Sequence, residues 1–360
     1  MKTHEVIIRR LFLLIPVLIG ATLITFTLSH VFQDPVYSYV TPARAELIPQ
    51  AQLEQIRIAH HLNEPLLDQY FFYIAGLLTG DWGISTVAGT STPVLTAISL
   101  KFPATFELTL VAVIIAVLGG IPLGIISAVR KDTKVDHASR ILALSGVSVP
   151  VFWLGLMLQF FFASNNFLNI FPLNCRLDLC RGWPGPSNLV NTNILGFHLV
   201  IPRTGVYFID SILTFQPLLL LETLYHLILP AFALSWISMA LISRMTRTSM
   251  LEALKQDYII LARSKGLSER IIIYKHALRN AMIPTVTIIG LTFAGLLTGA
   301  VLTESIFTWP GLGQWVTQAV LFSDSASIQG FVILAGLIYV ILNLAVDILY
   351  TVLDPRISLG

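Results

Sequence analysis

Covalent chemistry finds few footholds in this chain. Its eight histidines, His4, His30, His60, His61, His137, His198, His226 and His276, fall without His-x3-His spacing, so no nickel or zinc ligand set is expected. The adjacent His60 and His61 are the one hint of such a set, and a wet loop accounts for them equally well. Ser148, in GVSVP, lacks the second glycine of a nucleophile elbow and sits in an apolar run. No Gly-x4-Gly-Lys-Ser/Thr loop is present, so the chain does not bind and hydrolyse ATP by that route. Cys175 and Cys180 are spaced Cys-x4-Cys without a neighbouring histidine, which is no zinc pattern; a disulfide between them requires that their loop face an oxidising compartment. Glu304 and Asp347 lie at the ends of apolar runs. Glu304 reads as a solvated or capped helix end, and Asp347 as the partner of a basic neighbour rather than a proton relay.

What remains is charge gathered in one place. Residues 244–284, RMTRTSMLEALKQDYIILARSKGLSERIIIYKHALRNAMIP, carry eight basic residues (Arg244, Arg247, Lys255, Arg263, Lys265, Arg270, Lys275 and Arg279) against Glu252, Asp257 and Glu269, in a chain with only 12% charged residues. The chemistry open to such a stretch is non-covalent: it can meet another protein.

The elements that hold this stretch are apolar. With 55% hydrophobic residues and a mean hydropathy of +0.78, 360 residues carry more apolar surface than one soluble core hides, so lipid is the solvent. A net charge of +2 is too small to suggest nucleic acid. Six runs approach the length of about 20 residues that a bilayer demands: Leu11 to Phe32, Leu108 to Val129, Ile141 to about Ala163, Thr223 to Ser243, Ile283 to Thr303, and Ile328 to about Val346. Ser211 to Leu221, interrupted by Pro217, is too short to span and reads as an interfacial or re-entrant element. Pro16, Pro122, Pro150 and Pro230 inside the runs are tolerable where neighbouring helices satisfy the freed carbonyls.

The first run follows Lys2, Arg9 and Arg10 and is too long for an ordinary cleaved signal, so an uncleaved anchor is expected. Sixteen Lys and Arg fall on the side that holds both termini, Arg130 to Arg140 and residues 244–284; six fall on the other. The positive-inside rule then makes both termini and the basic stretch cytoplasmic in a multi-pass cell (inner) membrane protein. Domain organisation follows: residues 1–33 form a tail and first span, 34–104 an extracytoplasmic loop region, and 105–360 a core with five spans, including an extracytoplasmic loop at 164–222. The outer loops, with the WGP and NCRLDLC turns and the FYIAGLLTG apolar patch, are expected to fold into a small cap. No internal repeat is visible, which argues against a carrier built from inverted halves.

Within 244–284 the pattern is helix, break, helix. Met250, Leu251, Leu254, Tyr258, Leu261 and Ala262 recur at a spacing near 3.6 and predict a helix over 246–264 with one greasy and one charged face. Gly266 offers a left-handed C-cap, Ser268 an N-cap, and Glu269 an acid in the next helix's first turn. Lys275, His276 and Arg279 fall near that helix's far end before Pro284 opens the fifth span. Such a helix, held by two spans, can transmit a push from a cytoplasmic partner; a basic loop that merely obeys the positive-inside rule is the alternative.

QDYIILARSKGLSERIIIYKHALRNAMIP closely resembles the coupling segment of ABC importer permeases of the oligopeptide, dipeptide and nickel group, in particular their B-type subunit. RRLFLLIPVLIG, GDWGIS, FPATFELTL, GVSVPVFWLGLML, HLILPAFALS, LTESIFTWPGLGQ and DILYTVLDPRI resemble the group in the same order along the chain. Ile260, Leu261 and Ala262 stand where general permeases have an EAA triplet, and His276, Ala277, Leu278 and Arg279 replace their Ile-x-Leu-Pro ending; both are usual in the peptide group. The loop from Ser164 to Glu222 is longer than in plain members.

The resemblance implies an all-α integral membrane protein with six transmembrane helices, the ABC type I importer permease architecture and a larger extracytoplasmic loop region. It implies a path for peptides, no catalytic residue in this chain, and ATP and Mg bound by two cytoplasmic ATPase subunits. A related C-type permease would complete a heterodimer, and an extracytoplasmic substrate-binding protein would supply cargo and most of the specificity. The ATPase would dock on the helix from about Gln256 to Ser264. Asp257, Arg263, Lys265, Glu269, Arg270 and Arg279 are the implied charge partners, Gly266 the bend and Ala262 the point of close approach, with Leu267, Ser268, His276 and Asn280 completing the segment. Nickel complexes and oligosaccharides are alternative cargoes. An ion-coupled carrier is the rival from another class; it needs several acids inside spans, and only Asp347 comes close.

Overall fold

The computed structural model describes residues 3–353 apart from 33, 41–44, 88–90, 165–166, 175, 177–188, 195–196 and 203. The pairing of Cys175 with Cys180 lies outside the described residues, and so does the side chain of Asp347. The described helices are α1 (Thr3–Phe32), α2 (Gln50–Ala59), α3 (Leu66–Thr79), α4 (Val94–Val129), α5 (Lys134–Ser148), α6 (Val151–Ala163), α7 (Tyr207–Leu213), α8 (Pro217–Ala253), α9 (Asp257–Ser264), α10 (Glu269–Gly299), α11 (Val301–Ile306), α12 (Leu312–Leu321) and α13 (Ser325–Leu353).

Four of these, α4, α8, α10 and the Ser325–Val346 part of α13, are long and apolar enough to cross a bilayer. The third expected span is not one rod: α5 and α6 are bent by 101° at their junction. The cause is local. Val149 has φ −85° and ψ 120°, the extended conformation that a following proline imposes on its neighbour, and Pro150 then begins the second piece. Along α1 the apolar stretch among described residues is Ile15–Thr27. The run Ser211 to Leu221 is also divided: α7 ends at Leu213, and Pro217 is the first residue of the 37-residue α8, where its missing N–H costs nothing.

Helices α4 and α8 form the central pair, and glycines set their separation. A Cβ on Gly120 would meet Ile242 Cγ2 at 2.9 Å, and one on Gly124 would meet Thr246 Cβ at 2.6 Å and Ser243 O at 2.7 Å. Small residues four apart let two helices approach closely where lipid supplies no hydrophobic drive between them. Around this pair two apolar clusters form. One, with Ala104, Leu108, Leu227, Leu234, Leu296 and Trp309, binds α4, α8 and α10 toward one end of the bundle. The other, with Ile125, Met250, Ile259, Ala262, Ile272 and Ala281, closes the basic end.

The opposite end carries two short antiparallel hairpins, Ile84–Ser85 with Thr92–Pro93 (β1, β2) and Leu189–Ile194 with Phe197–Pro202 (β3, β4), within an otherwise helical fold. The FYIAGLLTG patch lies on α3, whose Tyr70 hydroxyl hydrogen-bonds the Thr22 hydroxyl of α1 at 3.0 Å and whose rings pack on Phe26. Of the two readings of Glu304, a solvated or a capped helix end, the solvated one is overturned: the carboxylate caps the start of α12 from a buried position. It is fully buried and accepts bonds from Thr105 Oγ1 (2.7 Å), Gly313 N–H (2.7 Å) and Gln314 N–H (3.1 Å), clamping α11 and α12 onto α4. A buried carboxylate requires such donors.

Candidate functional site

The basic segment departs from the expected single helix over 246–264. Helix α8 runs out to Ala253, the chain breaks over Leu254 to Gln256, and α9 begins at Asp257. Ile259, Ala262 and Ile272, buried on α9 and the start of α10, pack in one cluster with Ile125, Ala128 and Met250 at the ends of α4 and α8. This backing fixes a helix of only eight residues, which in isolation would be unstable.

The turn after α9 follows from Gly266. Its φ is +72°, Gly266 N–H donates to Arg263 O at 2.9 Å, and Leu267 N–H donates to Ala262 O at 3.3 Å. These two bonds are the paired pattern of a Schellman cap, so the glycine stands where the sequence placed it. Ser268 has the extended backbone of an N-cap (φ −66°, ψ 145°), but its side chain makes no capping bond. A π turn over Ile272–Ala277 then leads into the body of α10.

The outward surface is not purely charged. Asp257, Arg263, Lys265, Gly266, Ser268, Glu269, Arg270, Arg279 and Asn280 are exposed, His276 is partly buried and Ala262 is buried. Between them stand exposed Tyr258, Ile260, Leu261, Leu267, Ile271 and Tyr274. Periodicity put Leu261 on the greasy inner face, whereas it is 56% exposed; the burial falls on Ile259 instead. Arg263 and Glu269 pair at 2.9 Å across the turn, and Asn280 Nδ2 donates to Tyr258 Oη at 2.7 Å, tying α9 to α10. The surface therefore offers an apolar centre with a mixed charged rim, the anatomy of a protein contact.

Behind it lies a network that sequence reasoning missed. Asp136, at the start of α5, is fully buried and accepts from Arg247 Nε and Nη2, each at 2.9 Å, from Ser127 Oγ at 2.5 Å and from Asp132 N–H at 3.0 Å. Arg247 belongs to the basic stretch yet faces inward, locking α8 to α4 and α5. A lone acid in the first turn of α5 was the available signal, and nothing local names its partner.

Long apolar helices packed through glycines, with a rigidly backed and partly apolar helix–turn presented at one end, define an integral membrane protein with an exposed helix–turn surface. Residues 120–359 match the family described as binding-protein-dependent transport system inner membrane component, and the chain belongs to that family. It is similar to a dipeptide transport system permease protein of Alkalihalophilus pseudofirmus, 41% identical over 350 residues that cover 97% of this chain and 98% of the relative. It is also similar to a probable D,D-dipeptide transport system permease protein of Escherichia coli K12, 39% identical over 347 residues covering 96% and 95% of the two chains. An oligopeptide transport system permease protein of Bacillus subtilis 168 is 35% identical over 353 residues, 98% of each chain. The likeness to peptide-group permeases thus runs from end to end.

Proposed function

We propose that this chain is the peptide-conducting permease subunit of an ATP-driven importer, with α9 and the turn at Gly266 as the dock for a separate ATPase. The observation that carries the docking reading is the rigid backing of that helix–turn. Ile259, Ala262 and Ile272 key it into the ends of α4 and α8 while Tyr258, Ile260, Leu261 and Tyr274 face outward, so a push on the exposed face is delivered to the long helices. Peptide cargo is supported by the names of the relatives, which are dipeptide and oligopeptide permeases along the whole chain.

In this reading α1 and the bent α5–α6 pair complete six crossings, and both termini and residues 244–284 are cytoplasmic, following the basic residues. Two ATPase subunits bind ATP and Mg; this chain contributes no reacting group. Their closure draws the docking helices together and swings the bundle from inward-open to outward-open as rigid bodies. A related second permease completes the path, and an extracytoplasmic binding protein delivers the peptide. Charge partners for the ATPase are Asp257, Arg263, Lys265, Glu269, Arg270 and Arg279.

The test is transport by the reconstituted assembly in proteoliposomes with ATP inside. Uptake of a radiolabelled dipeptide that needs ATP and the binding protein, and collapses when residues 257–266 are replaced by a flexible linker, is the expected result. Uptake driven by an ion gradient without the ATPase would overturn it.

A further inference from the structure

One groove on this chain is mainly apolar, with Leu291 among its walls, and sets a few polar side chains among them. Between α8 and α10 a cavity of about 410 Å³ is lined by Arg244, Thr248 and Thr292 with Leu241, Met245 and Ile288. Directly below, a second hollow of about 250 Å³ lies among Glu252, Gln256, Tyr258 and Asn280. Residues 244, 248, 252 and 256 recur every four positions on or just beyond α8, and 280, 284, 288 and 292 do so on α10, so the two hollows form one seam. It ends against Tyr258 of the docking helix.

Arg244 is the first charge after the apolar run of α8, and its side chain is exposed into this groove. Among the described residues its guanidinium has no hydrogen-bond or ion-pair partner, whereas Arg247, one turn further along the same helix, is engaged by Asp136. An exposed guanidinium there is free to take a carboxylate or carbonyl partner. Two turns below, Glu252 is likewise exposed and pairs with no described cation. Eight residues of helix separate the two by about 12 Å, and an extended peptide of two or three residues spans about 7–10 Å. Side-chain reach makes up the difference.

We infer that the α8–α10 groove is this subunit's part of the peptide path, with Arg244 receiving the peptide's C-terminal carboxylate and Glu252 its amino group. Apolar Leu241, Met245 and Ile288 leave the side chains unselected, while the two charges recognise the feature that all short peptides share. The inference rests on the peptide reading above and assigns residues to it.

The experiment places a cysteine in the groove, Thr248→Cys, in the complete transporter in inside-out vesicles, where peptide reaches the groove without the binding protein. Alkylation by N-ethylmaleimide is followed at position 248 by peptide mapping. Alanyl-alanine is expected to slow alkylation, and its C-terminal amide to need about a tenfold higher concentration, the factor one charge-assisted hydrogen bond supplies. Arg244→Gln should raise the half-protecting concentration of alanyl-alanine by a similar factor and leave that of the amide unchanged. Equal protection by acid and amide, or none, overturns the inference and points to a lipid phosphate or a partner's acid as the occupant of Arg244. Thr292→Cys reports on the same seam if Thr248→Cys does not assemble. Dipeptide import by the native complex without protection at either cysteine removes this inference alone; absence of dipeptide import removes the peptide reading and the groove assignment together.

Discussion

Substitution at Gly266 separates two reasons why a glycine stands in the turn after α9. A side chain added there meets nothing within 4 Å, so bulk is not the constraint; the constraint is φ, at +72°. Alanine in that left-handed conformation costs about 1–2 kcal/mol, asparagine visits it readily, and a β-branched residue is worse than alanine. The two capping bonds, to Arg263 O and Ala262 O, exist only in this conformation. Because α9 is too short to hold itself, the backbone cost transfers to the docking equilibrium, and Gly266→Ala should raise the apparent Kd for the ATPase subunit by about 5- to 30-fold. Gly266→Asn should stay within about threefold of the native protein, and Gly266→Val should exceed alanine. The assay is titration of the ATPase subunits onto the permease pair in lipid nanodiscs, with membrane yield as the control for insertion. Native-like binding by the alanine variant, or equal losses for alanine and asparagine, would refute the backbone argument.

Four further outcomes follow from the packing. Arg247→Gln leaves the fully buried Asp136 carboxylate without its cation and should cost about 3–5 kcal/mol, seen as a lower thermal midpoint in detergent that the double variant with Asp136→Asn largely restores. Gly124→Ala drives a Cβ to 2.6 Å from Thr246 and should destabilise by about 1–3 kcal/mol, whereas Gly295→Ala, with open space around it, should be neutral or slightly stabilising on the same thermal scale. Glu304→Ala strands the hydroxyl of Thr105 and the N–H groups of Gly313 and Gln314, so cysteines placed in 307–322 should label faster while ATPase binding is unchanged. Arg263→Glu breaks an exposed pair worth less than about 1 kcal/mol, so stability should hold while ATPase titration shows weakened docking.

Proline shows why the fold was only partly legible. Pro103, Pro122, Pro230 and Pro284 all sit inside continuous helices, while Pro150 marks a 101° bend. The residue type is the same in each case. What differs is whether neighbouring helices hold the preceding residue in the helical region against its steric preference, and that is a property of packing. The basic segment divides similarly. Gly266 was readable because a positive φ selects for glycine by a local rule, and Glu269 because helix starts favour acids. That Leu261 faces out and Ile259 faces in was not, because the break at 254–256 resets the helical phase on which periodicity depends.

By itself, the sequence determined the solvent and the coarse architecture: uninterrupted apolar runs must be hidden in lipid, and one dense cluster of charge must lie outside it. Both follow from transfer free energies that act residue by residue. Only the tertiary structure decided which charges are spent inside the protein and which are left to meet something else. Arg244 and Arg247 are three positions apart in one stretch of sequence, yet one is bonded to Asp136 and the other opens into a groove. Three residues on, a helix has come most of the way round, so the two side chains diverge by only about 60°; one reaches Asp136 at the start of α5 while the other borders the groove beside α10. Those neighbours are fixed by how closely Gly120 and Gly124 let α8 approach α4.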